Sequence, residues 1–317
     1  MFRRWLSSFI KKNKDKILEV GKKLGLLCLI ALIATSIISI FLNSKRTQET
    51  EDSISIYNPE RTMISGKKIT KEEFEKDDNV VNSFINYCND LNMQSAYKLL
   101  SDDCKKELYP TVEDFKEKYC SNLFKEKREY NLQSWMNEGD YHIYRLRFTD
   151  DMLSSGVYNE ENLTQDYITV FKVSDDEYKL NINGFIKIEE INKESDANAL
   201  KALCINKKVY LDYEVYTIKL KNKTSENILL DTGKNTNSVV LRCENNTKYF
   251  LHKSNNSKLY DELSTDVIRK LELRFDKPYS VNSESSYIEF SDIVTDINEY
   301  KENKGYKDRE SIKVELK

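Results

Sequence analysis

An uninterrupted run of uncharged residues near the N-terminus, from Leu24 to Leu42, constrains this chain more than any other feature. A helix rises about 1.5 Å per residue, so such a run is long enough to cross the roughly 30 Å hydrocarbon core of a bilayer. The segment before it is rich in Lys and Arg, and positive flanks stay in the cytosol. The run therefore predicts a transmembrane helix at 24–42 in the cell membrane, with a cytosolic basic segment at 1–23 and an extracytoplasmic remainder.

A cleaved signal peptide is the alternative interpretation of the same run. Ala34-Thr35-Ser36 offers small residues at the spacing that a cleavage site needs. Six further residues, mostly apolar, follow before Asn43, and both the apolar run and the segment ahead of it are long for a signal peptide. These features favour an uncleaved signal anchor of a single-pass protein, with residues 43–70 as a polar linker.

The composition of the chain favours folded domains over disorder. Charged residues make up 32% and hydrophobic residues 39% of the sequence, a balance that allows a buried core. The formal net charge is −3 although the first 46 residues are basic, so the remainder is acidic. Phosphate binding requires a basic surface, which excludes nucleic acid as the expected partner. No phosphate loop or metal-ligand spacing occurs in the sequence, and we expect no cofactor and no metal.

Helical periodicity governs residues 70–123. Thr70 and Glu73 form a capping-box pattern, and apolar residues then recur at helical spacing through Leu91. A short second helix is predicted around 93–100. A third helix is predicted from Val112 onward, after Pro110 breaks the chain.

From residue 126 onward the apolar period changes to two, which is typical of strands. Helices followed by strands over residues 71–192 indicate an α+β layer, in which helices cover one face of a curved antiparallel sheet. Residues 199–300 show strands only, at the spacing of a β-sandwich. The expected strands there are Lys208–Leu211, Val215–Lys221, Ile228–Leu230, Val239–Arg242, Tyr249–His252, Val267–Phe275 and Tyr287–Phe290. Residues 301–317 form a charged tail that either adds a terminal strand or frays.

The segment Ala96-Tyr97-Lys98-Leu99-Leu100-Ser101, between a long first helix and a third helix, resembles the short second helix of the NTF2-like superfamily. This resemblance covers about residues 71–192 and implies a cone-shaped α+β fold. The later stretch LELRFDKPYSVNSESSYIEF resembles the closing strands of immunoglobulin-like domains in bacterial surface proteins. Superfamily members include enzymes, transport factors and parts of secretion machines, so the resemblance implies a fold and no particular activity.

Five cysteines follow the apolar run, and an odd number cannot all pair within one chain. One interpretation leaves them buried as thiols. The other pairs Cys88, on the buried face of the first helix, with Cys104, where the chain is expected to fold back against that helix. Cys204 with Cys243 is a second candidate pair, across two strands.

No residue pattern indicates catalysis, and we predict no catalytic residue. Asp231-Thr232-Gly233 matches an aspartic-protease signature, but that chemistry needs two such motifs and a turn explains one. We place His142 out of phase with Tyr144 in its strand, on solvent or on a partner surface. Asp166 is assigned to a solvent face in the same way.

Two hypotheses about function remain. The first is a non-enzymatic, membrane-anchored envelope protein that presents binding modules to other envelope proteins or to a second copy of itself. A place in a secretion or conjugation-type assembly is what the resemblance implies. The second is a small-ligand receptor, or an isomerase-like enzyme, that uses the cavity of the NTF2-like domain. A receptor needs polar groups that converge on a cavity, whereas a scaffold needs a filled core and an exposed apolar patch.

Overall fold

Helices occupy the first part of this computed structural model, which describes residues 69–149, 164–174, 177–234, 237–252, 257–280, 283–303, 306–307 and 309–317. A π-helical turn, Lys116–Cys120, and a 3₁₀ turn, Ser257–Leu259, accompany the α-helices. The α-helices are α1 (Lys71–Asn89), α2 (Met93–Leu99), α3 (Asp102–Leu108), α4 (Val112–Phe115), α5 (Ser121–Leu123) and α6 (Ile297–Glu302).

Short polar caps explain why the helices after α1 are brief. The capping box predicted for α1 is confirmed, since Thr70 Oγ1 accepts a hydrogen bond from the Glu73 backbone and the Thr70 backbone donates to the Glu73 carboxylate at 2.9 Å. Asn92, Ser101 and Thr111 each cap a new helix with a side-chain oxygen. Each cap satisfies a backbone N–H group at the start of a helix, so the chain after α1 can begin a new helix at each of these positions.

Antiparallel strands make up most of the rest of the described chain. All the seven strands expected within 199–300 have counterparts, and the C-terminal residues form an additional strand. The strands are β1 (Glu129–Glu138), β2 (Tyr141–Thr149), β3 (Thr164–Ser174), β4 (Glu177–Asn181), β5 (Phe185–Asp196), β6 (Leu200–Tyr210), β7 (Glu214–Asn222), β8 (Ile228–Leu229), β9 (Val239–Cys243), β10 (Lys248–Phe250), β11 (Glu262–Leu263), β12 (Ile268–Phe275), β13 (Ser285–Ile293) and β14 (Glu310–Glu315).

The strands form three four-stranded sheets and one two-stranded sheet. Their orders are β1-β2-β3-β4, β12-β7-β6-β5, β10-β9-β13-β14 and β11-β8. Apolar side chains of α1, such as Phe84, share one buried cluster with the first sheet. A second buried cluster lies between the β12-β7-β6-β5 and β10-β9-β13-β14 sheets, where Leu220 and Phe290 are among the fully buried side chains. The described residues, from 69 onward, all belong to one compact unit.

The expected fold class, an α+β NTF2-like cone followed by an immunoglobulin-like sandwich with one N-terminal transmembrane helix, is wrong. Antiparallel sheet dominates the described residues, and no described helix except α1 exceeds seven residues. The physical reason lies at the turn after β4. β4 ends the first sheet, and β5, which follows it, pairs with β6 in a second sheet along most of its length.

The membrane prediction also needs correction. The expected helix at 24–42 lies outside the described residues. Among the residues that are described, no helix is long and apolar enough to cross a bilayer. The single-pass location in the cell membrane, with an extracytoplasmic C-terminal part, therefore has no support from the structure.

Candidate functional site

A polar cavity of about 310 Å³ lies against β5, β6 and the start of β7, and we call it the seam cavity. The segment after β12 and the C-terminal residues close its other sides. Its charged lining is nearly balanced in sign, with five glutamates and four lysines: Glu138, Glu189, Glu190, Glu214, Glu284, Lys187, Lys207, Lys277 and Lys317.

Strand periodicity places a carboxylate at the inner end of this cavity. Glu214 opens β7 and shares its inward face with Tyr216 and Ile218, which are fully buried. Glu214 pairs in register with Phe275, the last residue of β12. The chain then turns at once, with the Lys277 backbone N–H donating to the Phe275 carbonyl at 2.7 Å. This turn brings the Lys277 side chain back onto Glu214.

Glu214 and Lys277 form a buried ion pair. Their side chains are only 2% and 3% exposed, and Lys277 Nζ lies 2.7 Å from Glu214 Oε1. The other carboxylate oxygen, Oε2, accepts from the Tyr216 hydroxyl at 2.5 Å and from the Ser285 hydroxyl at 3.2 Å. Burial, and then the nearby Glu214 charge, raise the pKa of Tyr216 well above its usual value, so this hydroxyl stays a donor. The carboxylate is thus held by three donors in a site with little water.

Hydrogen-bonding capacity remains beside this pair. An ammonium group has three N–H donors, and the structure assigns one of those of Lys277 to Glu214. Ser283 also lines the cavity, is 8% exposed, and its hydroxyl has no hydrogen-bond partner among the described residues. A buried polar atom without a partner costs free energy unless a ligand or water satisfies it. These two groups mark where a ligand oxygen would bind.

Ion pairs organise the rim of the seam cavity. Glu189 contacts Lys187 at 2.6 Å and Lys207 at 2.7 Å. Burial alone would raise the pKa of Glu189, but hydrogen bonds from the two lysines outweigh it and lower that pKa. Tyr279 adds an aromatic wall, and burial raises its pKa to about 12. The rim therefore offers paired charges and one aromatic side chain.

A second polar cluster joins α1 to the first sheet. Asp77, which is 1% exposed, accepts on Oδ2 from the Tyr144 hydroxyl at 2.5 Å and lies 2.6 Å from His142 Nδ1. Burial would lower the pKa of His142, but the Asp77 carboxylate outweighs it and raises that pKa. The assignment of His142 to solvent is wrong, because residues two apart in a strand share a face, and His142 faces inward with Tyr144.

Asp166 is buried as well, which contradicts its assignment to a solvent face. It is 7% exposed and accepts from the Tyr119 hydroxyl at 2.7 Å and from the Asn183 backbone at 3.2 Å. Burial raises the pKa of Asp166 to about 6, although these hydrogen bonds oppose the change. Asp231, of the protease-like motif, bonds to Gly233 and Ser238 in its own loop, as a turn requires.

The structure places the cysteines as one of the two interpretations expected, but with a neighbour that the sequence did not suggest. All five in the described part are buried thiols. Cys88 lies against Cys120, with their sulfurs 3.9 Å apart. Cys204 lies on β6 and Cys243 ends β9, so they belong to different sheets. The disulfides Cys88–Cys104 and Cys204–Cys243 stay predictions.

The sequence held one signal for the seam cavity that we did not use. Glu214 has the same parity as Tyr216, Ile218 and Leu220, so it occupies the buried face of an otherwise apolar strand. A carboxylate in that phase requires a buried partner. Lys277 follows a different strand, and nothing local in the sequence identifies it as that partner.

Comparisons of this chain with protein-family models, with curated proteins and with solved structures give no match. No match therefore identifies an NTF2-like or an immunoglobulin-like domain, and the interpretation of the seam cavity rests on its own chemistry.

Proposed function

We propose that this protein is a non-enzymatic binding protein that holds a small polar molecule in the seam cavity. The observation that carries the proposal is the Ser283 hydroxyl, buried and unpartnered among the described residues, in a cavity that buried Lys277 also lines. A volume of about 310 Å³ is at the small end of ligand sites. Polar groups that converge on a cavity are what distinguishes a receptor from a scaffold.

The charge balance of the lining defines the class of ligand. Lys277 is paired with Glu214, and Lys187 and Lys207 share the single carboxylate of Glu189. The five glutamates of the lining would repel a multiply charged anion, and the inner end of the cavity would offer it no cation without a carboxylate partner. A neutral or zwitterionic molecule with a carbonyl or hydroxyl oxygen suits the Lys277 and Ser283 donors better.

The same contacts argue against catalysis. A general base must lie within reach of the proton that it removes, and a nucleophilic lysine must reach the reacting atom. Glu214 instead accepts hydrogen bonds from Lys277, Tyr216 and Ser285, and Lys277 donates to Glu214. These groups are engaged with one another, an arrangement that suits binding.

The test is a thermal-shift and calorimetric screen of the purified full chain with neutral sugars, amides and zwitterionic amino acids, with citrate as the multiply charged comparison. We expect at least one neutral or zwitterionic compound to bind. Ser283→Ala should weaken that binding about tenfold, the value of one hydrogen bond in a buried site. Ser286→Ala is the matched control, because Ser286 is not part of the cavity lining. Stabilisation by citrate alone, or equal binding by S283A and the wild type, would contradict the proposal.

Binding to other proteins and self-association stay predictions. Val267 and Ile268, at the start of the edge strand β12, are 49% and 62% exposed. Two adjacent apolar side chains are a small patch, and surface residues of this kind are normal in monomers.

A further inference from the structure

Two cysteines from separate helical elements meet inside the first apolar cluster. Cys88 lies in the last turn of α1, and Cys120 is the last residue of the π-helical turn Lys116–Cys120. Their sulfur atoms are 3.9 Å apart, and the residues are 0% and 1% exposed. A disulfide bond is about 2.0 Å long, so the two sulfurs must approach by about 2 Å to form one.

We propose that Cys88 and Cys120 are a redox-active pair. They form an intramolecular disulfide by exchange with a low-molecular-weight disulfide such as oxidised glutathione, which is the oxidant. One cysteine thiolate attacks a glutathione sulfur and releases one reduced glutathione. The second cysteine then attacks the mixed disulfide and releases the other. Two protein thiols are oxidised, one glutathione disulfide is reduced to two thiols, and the protons of the protein thiols pass to the released glutathione.

The geometry selects Cys120 over Cys104 as the partner of Cys88. The sulfur of Cys104 accepts a hydrogen bond from the Ile182 backbone, between β4 and β5. Among the described cysteines, the sulfurs of Cys88 and Cys120 are in contact with each other.

Burial decides when the bond forms. The contact with Cys120, together with burial, raises the pKa of Cys88 far above its usual value, so the folded dithiol exchanges slowly. The bond therefore forms during folding, or when α1 separates locally from the π-helical turn. Once formed, it closes the loop that contains α2, α3 and α4, and it restricts the unfolded chain.

The experiment refolds the reduced full chain in a buffer of reduced and oxidised glutathione. Free thiols are then blocked with iodoacetamide, and the protein is digested without reductant for mass spectrometry. We expect a linked peptide pair that contains Cys88 and Cys120, and a melting temperature roughly 5–10 °C above that of the reduced protein. Because this measurement uses the wild type, its result does not depend on whether a variant folds.

Single substitutions provide the control. Cys120→Ser should abolish the linked peptide, whereas Cys104→Ser should retain it under the same conditions. A Cys88–Cys104 link in the wild type, five blocked thiols among residues 88–243 after refolding, or an unchanged melting temperature of the linked protein would each overturn the proposal.

Discussion

At the scale of single residues, the protein places several ionisable groups in its interior, and each is held by specific partners. Glu214 and Lys277 form the most buried ion pair in the described part of the chain. Such a pair gains little over apolar residues of similar volume, because both ions lose their hydration. Removal of one partner is costly, since the other charge then stays buried without compensation.

Lys277→Met should therefore destabilise the protein by about 3–5 kcal/mol. The double variant Glu214→Gln with Lys277→Met should recover most of that loss, because the amide is uncharged and still accepts from Tyr216. Urea denaturation measures both. Lys270→Met, at an exposed position of β12, is the matched control and should change the free energy of unfolding by less than about 0.5 kcal/mol. Equal effects of K277M and K270M would show that the ion pair does not form.

His142 makes stability depend on pH with a defined sign. Its pKa is raised in the folded state, because the Asp77 carboxylate outweighs burial and Glu73 and Asp140 act in the same direction. The charged pair therefore stabilises the fold fully below the unfolded pKa of about 6.5, and this stabilisation is lost as the pH rises through the folded pKa.

The stability difference between the wild type and His142→Asn should accordingly be larger at acidic than at alkaline pH. Chemical denaturation across that range measures it. His252→Asn provides the control, because His252 and Asp276 form an exposed pair whose contribution should stay below about 1 kcal/mol throughout. A difference for H142N that is constant with pH would contradict the assigned contact with Asp77.

At the scale of elements, a tight turn after β4 decides where the next strand goes. Asn183 and Gly184 have positive φ angles of 59° and 69°. The Gly184 backbone donates to the Tyr167 carbonyl at 3.0 Å, and its own carbonyl accepts from Leu211 at 2.8 Å. The turn is thus anchored to β3 on one side and to the end of β6 on the other, and it directs β5 into the second sheet.

Gly184→Ala should cost about 1–2 kcal/mol, because an L-residue is strained at that φ. An added Cβ would meet only Leu211 at 3.9 Å, so the loss comes from backbone strain rather than a clash. Thermal and urea denaturation check the value. Gly139→Ala is the control: Gly139 has a φ of 57°, and an added Cβ would meet nothing within 4 Å. It should show a similar loss of stability. A much larger loss of stability for Gly184→Ala than for Gly139→Ala would indicate a steric cause.

At the scale of the whole molecule, β5 and β6 connect the helical part to the strand-rich part. β5 runs to Asp196 and pairs with β6, which in turn pairs with β7. The same four-stranded sheet therefore contains residues from both sides of the boundary predicted near 193–198. Coupling through shared backbone hydrogen bonds favours cooperative unfolding.

The full chain should accordingly unfold residues 69–317 in one calorimetric transition, with equal calorimetric and van't Hoff enthalpies. Fragments divided at residue 197 should fail to give sharp transitions, since each would expose one unpaired strand of the β5–β6 hairpin. Two separate transitions in the full chain, each reproduced by one fragment, would instead support two independent domains.

The local features of this protein follow from its sequence. Residues close together in the chain determine the capping box at Thr70, the position of α1 and the strand runs from β6 to β13. They do so through side-chain periodicity and through hydrogen bonds between residues three positions apart. The burial of His142 could have been predicted as well, because its parity with Tyr144 assigns both to one face.

Only the tertiary structure decided which distant residues meet. The pairing of β5 with β6 rather than β4 depends on the direction of one turn, and the contacts Glu214–Lys277, Asp77–His142 and Cys88–Cys120 join segments that are 32 to 65 positions apart in the chain. Periodicity assigns a side chain to the interior but does not name the partner that it meets there, because that partner is set by how the sheets and helices pack against one another.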